Sequence, residues 1–406
     1  MTKYRLGDVL TIIMDYRGKT PKKLGLDWTE DKNDIVALSA KNLKNGELIN
    51  LDKSHYGNSA LYNKWMKDGD ISVGDILMTS EAPLGELFLV DKPIKAILSQ
   101  RIFLLRPNNS IVLPWYLYFY MSSKNFQNRL NGHATGTTVI GIKQKELRNI
   151  EIELPSLSIQ KSIVRKLVPI SKKIEINKEI NDNLYEQIKT ISNSHFSYFD
   201  FSDGHIPSNW HYTSLSDVAE ITTGYSYTSR ELHSSKTAMA TIKNFERTGG
   251  FSDKGYKEII PQKKLKDSKM ARKFDILVAH TDLTQNADII GNAEIILDTS
   301  IYSQLIYSMD LVRVRTKATN VSQFLLSLIL QGDRLKKHCL GYVNGTTVLH
   351  LSKKALKEFY IPLPNDLHEL DHISKFAKAA YMNIAINIQE NSMLQEAKQT
   401  LLRKFF

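Results

Sequence analysis

The feature that most constrains this chain is an internal repeat, which aligns its first half with its second half. The letters GTTV occupy residues 136–139 and again residues 345–348, 209 positions apart. The same displacement places "IEIELP", at residues 150–155, on "FYIPLP", and "LGDVLTI", at residues 6–12, on "LSDVAEI". Because one displacement holds near both ends, we expect two tandem copies of one structural unit.

Between these ends the register changes. The segment "GDILMTSEAPLG", which begins at Gly74, matches "FDILVAHTDLTQ", which begins at Phe274, with a displacement of 200. The letters "SQR" at Ser99 are matched here with "SQL" at Ser303, a displacement of 204. Each copy is therefore expected to hold loops of variable length inside a constant frame.

Composition restricts the class of protein. Lys and Arg outnumber Asp and Glu by 54 to 43, for a net charge of +11, which suits a polyanionic partner such as nucleic acid. The single cysteine, Cys339, excludes an internal disulfide and a cysteine-rich zinc site. The longest apolar run, "FLLSLIL", is too short to span a membrane, and the first residues lack the apolar core of a signal peptide, so we expect a cytoplasmic protein.

Each half begins with short strand-like runs and ends in a long helical pattern. In the first half the apolar positions alternate by three and four, with Asn177 and Asn181 inside the stripe, where they either fix the register of helix pairing or reach solvent at its edge. Pro169 either kinks this helix or starts a new one. We expect the two long helices to pair as an antiparallel coiled coil with pseudo-twofold symmetry.

These patterns predict an α+β fold in four segments. A first β-rich domain covers residues 1–155 and its helical spacer 156–196. A linker with the second β-rich domain covers 197–364, and the second helical spacer 365–406.

Several stretches then resemble one family. The letters "DYRGKTPKK" from Asp15, "GDILMTSEAPLGE" from Gly74 and "ILSQRIFLLRP" from Ile97 resemble a common class of target recognition domain. The segment "HIPSNWHYTSLSDV" from His205 resembles the usual domain opening, and GTTV followed by "IELPSL" or "IPLPND" resembles the junction into the conserved helices. Together they resemble the specificity subunit of a type I restriction-modification system. One departure is the Glu-Gln pair that often starts each conserved helix, replaced here by Ile159-Gln160 and His368-Glu369.

The resemblance implies a subunit without catalytic residues, cofactor or metal. Its two recognition domains would read a split target in double-stranded DNA. Its paired helices would dock two methyltransferase subunits, through which restriction subunits join. The sequence contains no Walker-type loop and no Asn-Pro-Pro-aromatic methyltransferase motif. Two other hypotheses are a nucleic-acid enzyme with an unrecognised site and a coiled-coil interaction scaffold.

In the first half, the predicted DNA-binding residues lie in three loops and the repeated motif. Arg side chains pair with guanine and Gln with adenine, whereas Lys and Thr more often contact phosphates. The alternatives are a solvated basic turn for the first loop, turn capping for the second and a structural role for Gln100. The candidates are Arg17, Lys19, Thr20, Lys22, Lys23, Thr79, Ser80, Glu81, Gln100, Arg101, Thr137 and Thr138.

The second half is expected to supply matching residues. His280, Thr281 and Asp282 are matched with Thr79, Ser80 and Glu81, and Gln304 is matched with Gln100. The threonines of GTTV occur in both halves, which favours phosphate contact or backbone positioning over base reading. The remaining candidates are Tyr225, Tyr227, Arg230, Thr346 and Thr347.

Overall fold

The computed structural model divides the chain into two compact units. It describes residues 1–136, 138–246, 249–284, 286–299, 301–317, 321–345 and 348–406. Unit 1 comprises Met1–Lys172 and Leu394–Phe406, and unit 2 comprises Lys173–Met393. Over the described residues, no helix combines the length and apolar character needed to cross a membrane.

Unit 1 is built mainly from short strands. The strands described in it are β1 (Thr2–Arg5), β2 (Leu10–Asp15), β3 (Ile35–Leu38), β4 (Leu43–Lys44), β5 (Glu47–Leu48), β6 (His55–Gly57), β7 (Ile76–Thr79), β8 (Leu87–Leu89), β9 (Ile97–Leu98), β10 (Ile102–Pro107) and β11 (Glu151–Leu154). Its α-helices are α1 (Ser59–Trp65), α2 (Pro114–Ser122), α3 (Lys124–Gly132), α4 (Gln144–Asn149) and the first part of α5 (Leu157–Ser192).

Unit 2 likewise consists of short strands and a few α-helices. Its described strands are β12 (Trp210–Ser214), β13 (Ala219–Thr223), β14 (Thr237–Ala240), β15 (Lys257–Glu258), β16 (Met270–Ala271), β17 (Ile276–Ala279), β18 (Thr281–Asp282), β19 (Ala293–Ile295), β20 (Gln304–Tyr307), β21 (Leu311–Thr316), β22 (Val343–Asn344), β23 (Leu349–Leu351) and β24 (Tyr360–Pro364). Its α-helices are α6 (Leu215–Val218), α7 (Gln323–Leu330), α8 (Asp333–Leu340) and most of α9 (Asp371–Phe405).

The repeat seen in the sequence is a repeat of topology. Unit 1 contains an antiparallel sheet in the order β2-β10-β7-β8, and unit 2 contains its counterpart in the order β13-β21-β17-β19. A parallel pair accompanies each sheet, β3 with β9 and β14 with β20. The first and last strands of each copy also pair, β1 with β11 and β12 with β24. The prediction of two tandem α+β domains is confirmed.

The inner strands β7, β10 and β17 are buried on both faces of their sheets, which explains their nearly continuous apolar sequences. Side chains alternate between the two faces of a strand. In β10, Phe103 and Leu105 join one apolar cluster with α2 and α3, whereas Ile102 and Leu104 join another with α1 and β3. In unit 2, Val312 and Val314 of β21 point to one cluster and Leu311 to the other.

A buried ion pair recurs at the same place in both sheets. The Asp75 carboxylate accepts hydrogen bonds from Nε and Nη2 of Arg106, each 2.8 Å long, and from the amide of Ser72. Asp275 accepts from Nε of Arg315 at 2.6 Å, and a second bond joins the same two groups. Two-point pairing of this kind is strong and directional. It ties the start of the β7 or β17 strand to its neighbour in each copy.

The long helices pair antiparallel within unit 2, and buried amides join them. Nδ2 of Asn177 donates to Glu390 at 2.6 Å and to Asn391 at 2.9 Å, and Nδ2 of Asn387 donates to Asn181 at 2.8 Å. Asn177 and Asn181 are both buried. The alternative in which they reach solvent is therefore wrong, and their geometry suits the register role.

The other ends of these helices belong to unit 1. Leu402 of α9 is 4% exposed and shares an apolar cluster with Ile163 and Leu167 of α5. Helix α5 runs from Leu157 to Ser192 with Pro169 inside it, so Pro169 does not start a new helix. The compact units therefore divide each long helix, whereas the predicted segments keep each helix whole.

Candidate nucleic-acid interface

Four segments of unit 1 meet where β2 and β7 end and β10 begins, because β10 is antiparallel to both neighbours. The Ser80 amide donates to the Arg101 carbonyl at 2.8 Å, and the Ile142 amide donates to the Ser80 carbonyl at 2.9 Å. Nη1 of Arg17 reaches the Ile142 carbonyl at 3.0 Å. Residues 15–17, 80–81, 100–101, 136 and 138–142 are called here the strand-end cluster of unit 1.

The first residue of each GTTV motif, Gly136 or Gly345, lies in close contact with the valine that ends the motif. Gly136 has φ of 120°, and a Cβ there would lie 2.1 Å from the Val139 carbonyl oxygen. Gly345 has φ of 110°, and its Cβ would lie 2.2 Å from the Val348 oxygen. Only glycine fits such a position, which accounts for this part of the repeat in terms of the backbone. Thr138 is exposed, whereas Thr137, Thr346 and Thr347 lie outside the described residues and remain predictions.

Arg101 is the most accessible charged candidate of this cluster. Its side chain is 48% exposed, and Nε forms an ion pair of 2.9 Å with Glu81, which is 33% exposed. Its φ of 66° is uncommon for a residue with a side chain and costs on the order of 1 kcal/mol. Gln100 beside it is exposed. These three side chains can meet a ligand without rearrangement of the core.

Arg17 and Lys19, by contrast, are held within the protein. Arg17 donates to both carboxylate oxygens of Asp15, at 2.8 and 2.6 Å, and its guanidinium carbon lies 4.5 Å from the centre of the Phe103 ring. Nζ of Lys19 donates to the Trp65 carbonyl at 2.6 Å, and burial lowers the pKa of Lys19. This part of the loop is neither a solvated turn nor a set of unengaged cations.

The rest of the basic loop is more open. Thr20 accepts from the Lys23 amide and caps the short helix Pro21–Leu24. Lys23 is exposed, and its Nζ donates to the Gly18 carbonyl at 2.8 Å. Lys22 is exposed, and its side chain forms no hydrogen bond or ion pair with the described part of the chain. Of the loop's five candidates, Lys22 and Lys23 are the ones open to a phosphate.

Thr79 and Ser80 are buried, so the structure favours the turn-capping alternative for this segment. Oγ1 of Thr79 donates to the Pro83 carbonyl at 2.5 Å and accepts from the Glu86 amide at 2.9 Å. Oγ of Ser80 is buried with no partner among the described residues. A direct contact of either side chain with DNA has no support in this geometry.

Unit 2 contains an equivalent strand-end cluster, but two matches made from the sequence are wrong. The His280 amide donates to the Asp310 carbonyl as the Ser80 amide does to Arg101, so His280 matches Ser80 and not Thr79. The Ser308 amide donates to Ala240 as the Ser99 amide does to Leu38, so Ser99 matches Ser308 and not Ser303. Identical letters in neighbouring loops caused the second error, whereas the first departed by one residue from the displacement of 200 between Gly74 and Phe274.

The correct register changes the partners of several candidates. Gln304 lies at the start of β20, where it accepts from Thr237 at 3.2 Å, and the counterpart of Gln100 is Met309. Met309 is 56% exposed, and Leu283, directly after β18, is 66% exposed. Neither was predicted from the sequence, because the candidates in these loops were polar, although an apolar side chain in a turn-rich loop also indicates a binding surface. Apolar groups can contact thymine methyls or wedge between bases.

Thr281 and Asp282 are buried structural residues. Oγ1 of Thr281 lies 3.3 Å from Nδ1 of His350. Asp282 accepts from the amides of Thr284 and Ile289, both at 2.8 Å. Burial alone would raise the pKa of Asp282, but these hydrogen bonds outweigh it and leave the pKa lowered. Asp282 therefore remains an anion that caps its own turn.

Among the remaining candidates, Arg230 is exposed and forms no hydrogen bond or ion pair with the described residues. The Tyr225 hydroxyl is buried and donates to Glu231, whose pKa is lowered to about 2 by hydrogen bonds from the Gln262 amide, Tyr225 and Thr228. Tyr227 is half-buried, with Nζ of Lys257 5.6 Å from its ring centre. Arg230 is thus the accessible cation of this loop.

Comparison with known proteins identifies the class to which this fold belongs. The family model described as the type I restriction modification DNA specificity domain matches residues 1–186 and 207–396. The chain belongs to this family, and it is a type I restriction-modification specificity subunit with two tandem target recognition domains.

Individual relatives match over most of the chain. The MjaIX specificity subunit of Methanocaldococcus jannaschii is 22% identical over 95% of this chain and 89% of its own length. The MjaVIII specificity subunit of the same organism is 25% identical over 82% of this chain and 78% of its own. The crystal structure of the type I restriction-modification S subunit from M. genitalium has a TM-score of 0.56 at 17% identity, covers 100% of this chain and 96% of its own, and shares the fold.

Proposed function

We propose that unit 1 and unit 2 each read one half of a split target in double-stranded DNA. The observation that carries this proposal is a common backbone with different side chains. The strand-end clusters share their backbone hydrogen bonds, yet the exposed Gln100 and Arg101 are replaced by Met309 and Asp310. A shared frame supports the same mode of docking in both units, whereas different side chains suit different bases.

The partners follow from the same proposal. Two methyltransferase subunits dock on the paired helices, and restriction subunits join through them, in the cytoplasm. The chain itself carries no catalytic group. When supplied with DNA and S-adenosylmethionine but no partner, it is expected to transfer no methyl group, and methylated DNA from the pure chain would contradict this part.

The test of DNA reading is sequencing-based mapping of methylated adenines in cells that contain the chain and its methyltransferase. We expect a split motif that the methyltransferase alone does not produce. Arg101→Ala should relax one half of that motif, by about 1–3 kcal/mol of discrimination if Arg101 pairs with guanine, and leave the other half unchanged.

The matched control is Lys53→Ala, which removes an exposed cation of unit 1 outside the strand-end cluster. It should leave the whole motif unchanged. A verified, active complex that adds no motif would favour the interaction scaffold. Equal relaxation of both half-sites by Arg101→Ala would contradict the assignment of one half-site to each unit.

Exposed apolar residues on the helix pair support the docking proposal. Within unit 2, Ile176 and Ile180 of α5 are 47% and 43% exposed, and Met382, Ile386 and Met393 of α9 are 39%, 56% and 60% exposed. Several apolar side chains exposed along one pair of helices are typical of a protein-binding surface. We propose that they contact a methyltransferase subunit.

The variant Ile180→Asp tests this surface. It places a charge in the proposed contact and is expected to weaken methyltransferase binding at least tenfold, about 1.4 kcal/mol, in calorimetric titration. The free energy of unfolding should change little, because Ile180 is exposed. Asn183→Asp adds the same charge to an exposed position of the same helix and should bind normally. Equal binding by both variants would show that the partner docks elsewhere.

A further inference from the structure

Unit 2 contains a basic cavity that the proposed reading of bases does not use. Its volume is about 310 Å³, and it lies beside β13 and β21. The polar side chains that line it are those of Thr222, Thr223, Ser268, Lys269, His280, Lys353 and Lys357. The rest of its lining is mainly apolar, and no carboxylate among the described residues lines it.

The positive charges of this cavity are only partly compensated. Nζ of Lys269 donates to the Thr223 carbonyl at 2.6 Å and lies 3.2 Å from its hydroxyl. Lys353 and Lys357 are exposed, and their side chains form no hydrogen bond or ion pair with the described residues. Like charges held together disfavour one another, and an anion placed between them relieves this repulsion.

The surroundings of His280 agree with this electrostatic picture. Burial lowers the pKa of His280, and the neighbouring His350 and Lys353 lower it further, whereas Asp310 acts in the opposite direction. The carboxylate of Asp310 is close enough to influence His280, but it does not line the cavity. The cavity therefore keeps an excess of positive charge at the strand-end cluster of unit 2.

We infer that this cavity holds one phosphate group of the backbone of bound DNA, with Lys353 and Lys357 as its charged ligands. Lysine ammonium and threonine hydroxyl groups are common donors to phosphate oxygens, and they contact the backbone without regard to sequence. The inference rests on the proposal that unit 2 binds DNA. It assigns to the cavity a role in affinity and positioning rather than in base selection.

The charged cavity is a feature of unit 2 that the repeat does not duplicate in unit 1. In unit 1, Gln144 and Ser80 occupy the positions of Lys353 and His280. Nε2 of Gln144 donates to the Ile13 carbonyl at 3.4 Å. Arg148 retains a charge at the position of Lys357. Because a neutral amide replaces Lys353, unit 1 lacks the lysine pair of unit 2, so the two half-sites are held with unequal backbone contacts.

The test compares two double variants in the complete complex with the methyltransferase. Lys353→Gln with Lys357→Gln removes the proposed ligands, and Lys263→Gln with Lys264→Gln removes two exposed lysines of unit 2 that do not line the cavity. Binding to a target duplex and to a scrambled duplex is measured over a series of salt concentrations.

For the cavity variant, we expect the slope of log K against log[salt] to become about 0.9 less steep than for the control, the change for one lost phosphate contact. Affinity should fall about tenfold for both duplexes, with their ratio unchanged. If the wild-type complex prefers its target but the salt slope of the cavity variant equals that of the control, this inference alone is overturned. A wild-type complex with no preference would instead overturn the proposed function.

A second arm separates backbone phosphate from free phosphate. Inorganic phosphate is titrated into the complex without DNA, and the heat is compared between the wild type and the cavity variant. If the cavity variant loses phosphate binding while its DNA salt slope equals that of the control, the cavity takes free phosphate. That result would overturn the assignment to DNA.

Discussion

Asp275→Ala is expected to lower the free energy of unfolding of unit 2 by about 3 kcal/mol, the range for breaking a buried ion pair from one side. Asp275 is 4% exposed and Arg315 is its two-point partner. Removal of the carboxylate leaves a half-buried guanidinium without its acceptor and the Arg272 amide without the hydrogen bond of 2.8 Å that it donates. Urea unfolding gives the loss, and hydrogen exchange at β17 and β21 shows where it occurs.

The control is Asp217→Ala, which removes an exposed carboxylate from α6 and should change stability by less than about 0.5 kcal/mol. Because the pair is duplicated, Asp75→Ala should cause a similar loss in unit 1 through Arg106. If Asp275→Ala lowered the protection from hydrogen exchange equally in both units, the ion pair would not have a local role.

Leu402→Ala is expected to destabilise unit 1 by about 3 kcal/mol, within the usual range for a buried leucine. Leu402 packs with Ile163 and Leu167, so its truncation leaves a cavity in the core of the first unit although it is near the end of the sequence. The measurement is hydrogen exchange of β10 in unit 1 and of β21 in unit 2, with increasing urea.

Lys404→Ala, an exposed position two residues later, is the matched control and should leave both units unchanged. If Leu402→Ala lost protection from hydrogen exchange first in β21 of unit 2, the last residues of the chain would not stabilise unit 1. A loss below about 1 kcal/mol would show that the site collapses around the smaller side chain.

The sequence was sufficient for the frame of the fold. The displacement of 209 residues predicted two copies, and the apolar periodicity predicted a long helix at the end of each. These signals survive because they come from buried faces, where packing restricts the choice of residue. The GTTV motif was visible for a related reason, since a close backbone contact at Gly136 and Gly345 admits no side chain.

The candidate interface was harder to predict because loop register and burial depend on tertiary contacts. Ser303 carries the same letters as Ser99, yet the hydrogen bond to the neighbouring strand assigns that role to Ser308. Thr79 is a residue type that often contacts DNA from the protein surface, but here its buried hydroxyl donates to the Pro83 carbonyl and closes a turn. Arg17 is engaged by Asp15, two residues before it in the sequence, and only the geometry reveals this pairing.

The division of the chain between the units has a consequence for its synthesis. Unit 2 is one continuous stretch, residues 173–393, whereas unit 1 needs residues 394–406 to cover Ile163 and Leu167. Synthesis proceeds from the N-terminus, and domains fold as units once their residues are available. A nascent chain that has reached residue 393 holds every residue of unit 2, while the core of unit 1 is still missing Leu402. The unit that is started first is therefore the one that is completed last.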